Sequence, residues 1–226
     1  MKTSCLFLLS LSLPLVLMTG CSRRGDGIKE EKIYIIEKNG KNIPLIESRD
    51  LIKILDLPKT RQADKWTCGA NAVQKICGYY GEDYREMDLV RMLKSTPDNG
   101  TDLQPIIDFF VNAKFKVDVR ENMTIADLKK YIDRNIPVIL MIQAWGRNKI
   151  SYPGWSDGHF TVCIGYTLDE MLFADPSLYD IGYIRNEKLL ERWHDLDVGD
   201  KKYERLGIAV YGKKPKFDLE KIEEIK

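Results

Sequence analysis

Gln62-Ala63-Asp64-Lys65-Trp66-Thr67-Cys68-Gly69-Ala70 leads into an apolar helix that starts at the cysteine. Farther along, Asp157-Gly158-His159-Phe160 and then Ala174-Asp175-Pro176 supply an imidazole and a carboxylate, so thiol, base and acid follow one another in that order. Those three groups are the equipment of a thiol hydrolase. A free thiol has a pKa of roughly 8.5, and both a helix N-terminus and a neighbouring imidazolium favour its thiolate. A carboxylate bonded to the far ring nitrogen fixes the tautomer and orientation of the imidazole. Gln62, ahead of the cysteine, carries an amide able to donate to the oxyanion that forms when sulfur attacks a carbonyl. The chain has two histidines, so His159 and His194 are the only imidazoles available as bases. His159 directly precedes the alternating run Phe160 to Tyr166, whereas His194 lies in the polar stretch Arg192-Trp193-His194-Asp195.

On these residues the chain resembles the papain-like peptidases that process bacteriocin and other secreted-peptide precursors after a double-glycine leader. Their signature is a glutamine a short way ahead of Cys-Gly, followed by a histidine and an aspartate. The likeness runs from Gln62 to Tyr211. It implies Gln62 as oxyanion residue, Cys68 as nucleophile, His159 as base and Asp175 as the orienting carboxylate. One departure is Thr67, where many members carry an acidic residue. Close members are fused to an export ATPase with membrane helices, and no such segment is read here, so the resemblance implies a stand-alone relative whose substrate is open.

The N-terminus indicates where such an enzyme works. Lys2 is followed by an apolar run from Leu6 to Met18, interrupted by Ser10, Ser12 and Pro14, and then by Thr19-Gly20-Cys21-Ser22. So short and interrupted a run reads as a secretory h-region rather than a membrane span. Small residues immediately before a cysteine resemble the bacterial lipobox, which implies a lipid on Cys21; a plain cleaved signal with a chance cysteine is the alternative. Lipid there tethers the domain, since each buried methylene contributes about 0.8 kcal/mol and more than one chain makes anchoring stable. The expected organisation is a lipoprotein signal peptide over 1–20, a tether over 21–32, a papain-like domain with an N-terminal hairpin over 33–212, and a charged C-terminal tail over 213–226. The expected location is lipid-anchored and extracytoplasmic, at the cell membrane or outer membrane.

The mature length suits one domain with a sizeable core. A formal net charge of +1 with both signs interspersed gives no electrostatic case for nucleic acid. The basic stretches Ser22-Arg23-Arg24 and Lys213-Lys214-Pro215-Lys216 read as solvated tails. Of five cysteines, Cys5 leaves with the leader and Cys21 is the anchor, which leaves Cys68, Cys77 and Cys163. Cys77 and Cys163 fall among apolar residues and read as buried; a disulfide between them stays open in an extracytoplasmic protein. No Cys-x-x-Cys and no histidine pair at helical spacing supports a zinc site, and thiol hydrolysis needs no metal or organic cofactor.

Pattern gives the rest of the layout. Asn39-Gly40 between apolar runs predicts a hairpin, with Pro44 demoting the second arm to an edge. Asp50 to Leu55 reads as a short helix. Helices are predicted at Cys68 to Tyr79, ended by Gly81, at Glu86 to Leu93, at Leu103 to Asn112 and at Thr124 to Arg134, with a strand at Phe115 to Val119. Strands follow at Pro137 to Ile142, His159 to Tyr166, Met171 to Ala174, Ile181 to Ile184 and Leu206 to Tyr211. A helical half followed by an antiparallel sheet is an α+β layout, and the resemblance makes it the papain-like one, with its cleft between the halves. The loop Gln143 to Asp157 carries Trp145 and Trp155, which either wall the cleft as substrate-binding residues or hold a long loop down. Trp193 is expected to be structural or to reach the cleft rim. The function expected is therefore a membrane-anchored cysteine peptidase acting on exported or cell-envelope peptides. The alternatives are a papain-like amidase or transamidase on cell-wall peptides, or a catalytically inactive peptide-binding lipoprotein.

Overall fold

The computed structural model describes residues 34–38, 41–45, 51–144, 154–218 and 224. The first apolar runs pair as the turn signal predicts: β1 (Tyr34–Lys38) lies antiparallel to β2 (Lys41–Leu45), with Ile36 opposite Ile43 and Pro44 opposite Ile35. This hairpin belongs to the unit Met1–Glu47, and the remainder, Ser48–Lys226, is a second unit. The expected signal peptide, lipobox cysteine Cys21 and tether lie outside the described residues, as does Trp145.

The second unit runs β3 (Lys53–Ile54), α1 (Cys68–Tyr79), α2 (Glu86–Met92), α3 (Leu103–Asn112), β4 (Lys116–Arg120), α4 (Ile125–Asp133), β5 (Val138–Gln143), β6 (Gly158–Tyr166), β7 (Glu170–Ala174), β8 (Gly182–Arg185), α5 (Asn186–Arg192), β9 (His194–Leu196), β10 (Lys202–Glu204) and β11 (Gly207–Tyr211). Seven strands form one antiparallel sheet in the order β4-β11-β5-β6-β7-β8, with β3 added on β6; β9 and β10 pair separately. This is the α+β fold expected. Every residue of β5 is buried, and so is β6 from His159 onward, which follows from their near-continuous apolar runs. Helix α1 packs against β6 and α2, while α4 packs against β3, β5 and β6.

Local chemistry sets the helix ends. The Asp102 carboxylate accepts from Leu103 N–H at 2.8 Å to start α3, and Thr124 with Asp127 makes a reciprocal capping box at α4. At the end of α1, Gly81 takes φ +79°, and Gly81 N–H and Glu82 N–H return to Gly78 and Cys77 carbonyls at 2.9 Å.

Some expectations are corrected, and some open alternatives are decided. Of the helix expected over Asp50 to Leu55, the described residues 51–55 are not helical; β3 pairs with β6, supported by Ile52 N–H to Tyr166 O at 3.1 Å and Leu55 N–H to Ile164 O at 2.8 Å. So short a segment gains little from helical nucleation, while β6 beyond the end of β5 offers free backbone partners. Gly165 makes the approach possible, since a Cβ there would stand 2.6 Å from Lys53 O. Gln143 closes β5 rather than opening a loop. Trp193 is buried in the core with its indole N–H on Leu206 O at 2.8 Å, and does not reach the cleft. Cys77 and Cys163 are free and buried, so no disulfide joins them. The start of the basic tail is docked rather than solvated: Lys213 pairs with Glu82 at 2.8 Å, and the Tyr79 carbonyl at the end of α1 accepts from Lys216 N–H at 2.9 Å and Phe217 N–H at 3.1 Å.

Candidate active site

Ten of the twelve residues of α1 are buried, so it is a central helix rather than a surface one, and its first residue is Cys68. Thr67, which precedes it, uses its hydroxyl in the approach loop: it accepts from Asp64 N–H at 3.2 Å and donates to Asp64 O at 3.0 Å. No side chain therefore caps the first turn of α1, and no acidic residue lies in it. The free N–H groups and the positive end of the helix dipole remain available to negative charge at the sulfur.

Antiparallel register supplies the other two groups. Val162 of β6 faces Ala174 of β7, so Asp175, one residue past β7, falls beside Thr161, two residues along β6 from His159 and on the same face of the strand. His159 Nε2 lies 3.0 Å from Asp175 Oδ2 and 3.2 Å from Oδ1, and the ring also hydrogen-bonds Cys68. With Nε2 engaged by the carboxylate, Nδ1 is the nitrogen left for the thiol. Asp175 is itself fixed by Ser177, whose N–H and hydroxyl donate to Oδ1 at 2.8 and 2.5 Å.

The electrostatics follow from these contacts. Burial pushes the His159 pKa down, but the hydrogen bonds and charges of Asp175 and Cys68 outweigh it and raise it to about 10. Burial pushes Asp175 up, yet the His159 imidazolium, with help from Ser177 and Thr161, holds it well below the usual carboxylate range. Cys77 and Cys163, in contrast, are raised to about 12, above all by burial. The structure thus brings Cys68, His159 and Asp175 together, in a cleft of about 450 Å³ whose lining includes Cys68, His159 and Trp155. Trp155 packs on the His194 ring at 4.5 Å between centroids, which makes His194 a support of the cleft wall.

Gln62 is placed beside this group by its backbone, whose N–H donates to Pro176 O at 2.8 Å, next to Asp175. Its side-chain Nε2 donates one N–H to Asp64 O at 2.7 Å, and its Oε1 is buried without a partner among the described residues. The arm carrying Gln62 is clamped on both sides. Lys75 Nζ donates to Thr60 O at 2.5 Å, Glu86 Oε1 accepts from Ala63 N–H at 2.8 Å, and Asn71 Nδ2 bridges to Glu86 Oε2 at 2.9 Å. Burial lowers Lys75 to about 8 against the opposing pull of Asp175 and Glu86. Removing the clamp with Glu86→Ala is expected to lower kcat about tenfold with KM nearly unchanged, a smaller loss than deletion of an oxyanion donor itself. Steady-state kinetics of that variant check it, with Glu86→Gln recovering part of the loss.

Sequence reasoning missed two groups. One is the clamp, because nothing in the local sequence around Asn71 and Lys75 marks them. The other is Asp195, a buried carboxylate in the cleft whose Oδ1 accepts from Gln143 Nε2 and Leu196 N–H, both at 2.9 Å. Burial raises Asp195 to about 6, against those hydrogen bonds and the charge of His159. Among the described residues no group of three or more His, Cys, Asp or Glu side chains could hold a metal ion.

Fold and site together define a papain-like cysteine-peptidase architecture. The chain belongs to the Peptidase C39 like family, whose model matches residues 54–197 and so spans Gln62, Cys68, His159 and Asp175. The pediocin PA-1 transport/processing ATP-binding protein PedD of Pediococcus acidilactici is 26% identical over 117 residues, a stretch that makes up 52% of this chain and 14% of that protein. Among solved structures, a protein of Bacillus anthracis described as a C39-like peptidase matches with a TM-score of 0.55 and 16% identity, over 73% of this chain and 100% of the other. The peptidase domain of Streptococcus ComA matches with a TM-score of 0.51 and 18% identity, over 70% and 99%. These two likenesses concern the fold.

Proposed function

We infer that this protein is a cysteine peptidase, lipid-anchored through Cys21 on the extracytoplasmic side of the cell membrane or outer membrane, that hydrolyses exported or cell-envelope peptides. The observation that carries this reading is the placement of one imidazole between a helix-head thiol and a buried carboxylate inside an open cleft. Sulfur of Cys68 attacks the amide carbonyl, and the oxyanion is held by the second N–H of Gln62 and the Cys68 backbone N–H. The His159 imidazolium protonates the leaving amine as the carbon–nitrogen bond breaks. Water then gives its proton to His159 while its oxygen attacks the thioester, which returns the acid product and the thiol. PedD, named as a transport and processing protein, shows the kind of work a relative performs.

Labelling tests the reading cheaply. Iodoacetamide or an epoxide inhibitor at mildly acidic pH is expected to modify Cys68 far faster than Cys77 or Cys163, whose thiols are held neutral by burial. Equal, sluggish labelling of all three thiols would mark a binding protein instead. Cys21→Ala is expected to move the protein from the membrane fraction to the soluble one; a variant as firmly membrane-bound as wild type removes the anchor from the proposal.

A further inference from the structure

Charge is unevenly shared around the cleft. The chain as a whole has a formal net charge of +1, yet the cleft is lined by Asp98, Asp102, Asp195, Asp197 and Asp200 against two basic residues, Lys65 and the His159 imidazolium. These aspartates stand on two walls, the loop before α3 and the β9–β10 hairpin, joined where Val198 N–H reaches Asp102 Oδ1 at 3.5 Å. None of the five makes an ion pair among the described residues. Asp102 and Asp197 also have local duties, Asp102 as the cap of α3 and Asp197 as acceptor for Gly199 and Lys201 N–H and the Tyr203 hydroxyl.

Asp195 is different. It is 7% exposed, and both of its hydrogen bonds fall on Oδ1. Its carboxylate lies over Gly158, the residue before His159, where a Cβ would come within 2.4 Å of Oδ2 and 2.5 Å of Oδ1. The glycine therefore leaves the carboxylate its place next to the reacting group. A buried carboxylate with one oxygen still open gains most from a charge-assisted bond to an ammonium or guanidinium. Met141, Leu196 and Trp155 line the same cleft and suit the apolar stem of such a side chain. The exposed rim residues Asp98 and Asp200 draw cations toward the opening, an attraction that salt screens.

We propose that this cleft selects peptides carrying a lysine or arginine side chain close to the cleaved bond, and that Asp195 is the residue that receives that charge. The proposal rests on the peptidase reading and names its substrate class. Three pools of short randomised peptides, with lysine, norleucine or glutamate fixed at the centre, test it in two ways: cleavage by the full-length protein, and binding to its Cys68→Ala variant followed by tryptophan fluorescence. The expected result is a kcat/KM for the lysine pool about tenfold or more above the norleucine pool, with the glutamate pool lowest, and the same ranking in binding. The lysine-to-norleucine ratio is expected to collapse toward one in Asp195→Asn. It is expected to fall partway in Asp98→Asn combined with Asp200→Asn, a change confined to the exposed rim. Equal handling of the lysine and norleucine pools, or a full preference surviving Asp195→Asn, overturns the proposal. Selective binding of the lysine pool with no cleavage of any pool would keep the selectivity and remove the peptidase reading alone.

Discussion

Replacing Cys68 by alanine is expected to lower kcat for peptide hydrolysis by about four orders of magnitude or more, because Cys68 is the thiol that lines the cleft and bonds the His159 ring. The fold should be nearly indifferent: a small side chain at the head of α1 is exchanged for a smaller one, and the change in melting temperature should stay within about 3 °C. A second readout separates loss of the nucleophile from a general disturbance. The hydrogen bond and charge of Cys68 are among the causes that raise His159 to about 10, so the His159 pKa must drop in the variant. With two histidines in the chain, His159 and His194, an NMR titration resolves it. Turnover retained in Cys68→Ala, or an unmoved His159, contradicts the thiol–imidazole pair.

His159→Ala is expected to abolish hydrolysis to a similar degree and, unlike the cysteine change, to cost stability. Asp175 would lose its imidazolium and stay largely buried, with Ser177 as its remaining hydrogen-bond donor and the charge of Lys75 acting on it. Removing one member of a buried pair costs about 3 kcal/mol, which for a domain of this size is a drop in melting temperature of about 9 °C. The cost depends on pH. His159 is raised from 6.5 to about 10, so its contribution is complete below about 6.5 and disappears as pH rises toward 10. Asp175 is depressed from 3.8, so its contribution is present above about 3.8 and disappears on acidification. The gap between wild type and His159→Ala should therefore be widest between about pH 4 and 6.5, as measured by thermal melts across that range. A gap that does not vary with pH would mean that the pair is not ionised in the native protein.

The parts legible in the sequence are those written in local signals. Gln62, Cys68, His159 and Asp175 stand in an order and setting that chemistry restricts; the helices at Leu103 and Thr124 carry their own caps and periodicity, and the helix at Cys68 shows its apolar periodicity and the Gly81 that ends it. What escaped depends on tertiary context. Lys75 looks like a solvent-facing helix residue until α1 turns out to be wrapped on nearly every side. β9 and β10 are three residues each, too short and too polar to show alternation, so the hairpin that delivers Asp195 left no pattern to find. The Asp50 to Leu55 error has the same origin, since only the free stretch of β6 makes a strand of it.

The chain beyond β11 returns to close the far end of the helix that Cys68 heads, through Lys216 and Phe217 on the Tyr79 carbonyl. Anyone trimming the gene for expression should keep the codons through Phe217 and fuse an affinity handle only downstream of them. Stopping at Tyr211 would strip the last turn of α1 of its clasp, and the resulting fraying would reach the thiol from behind.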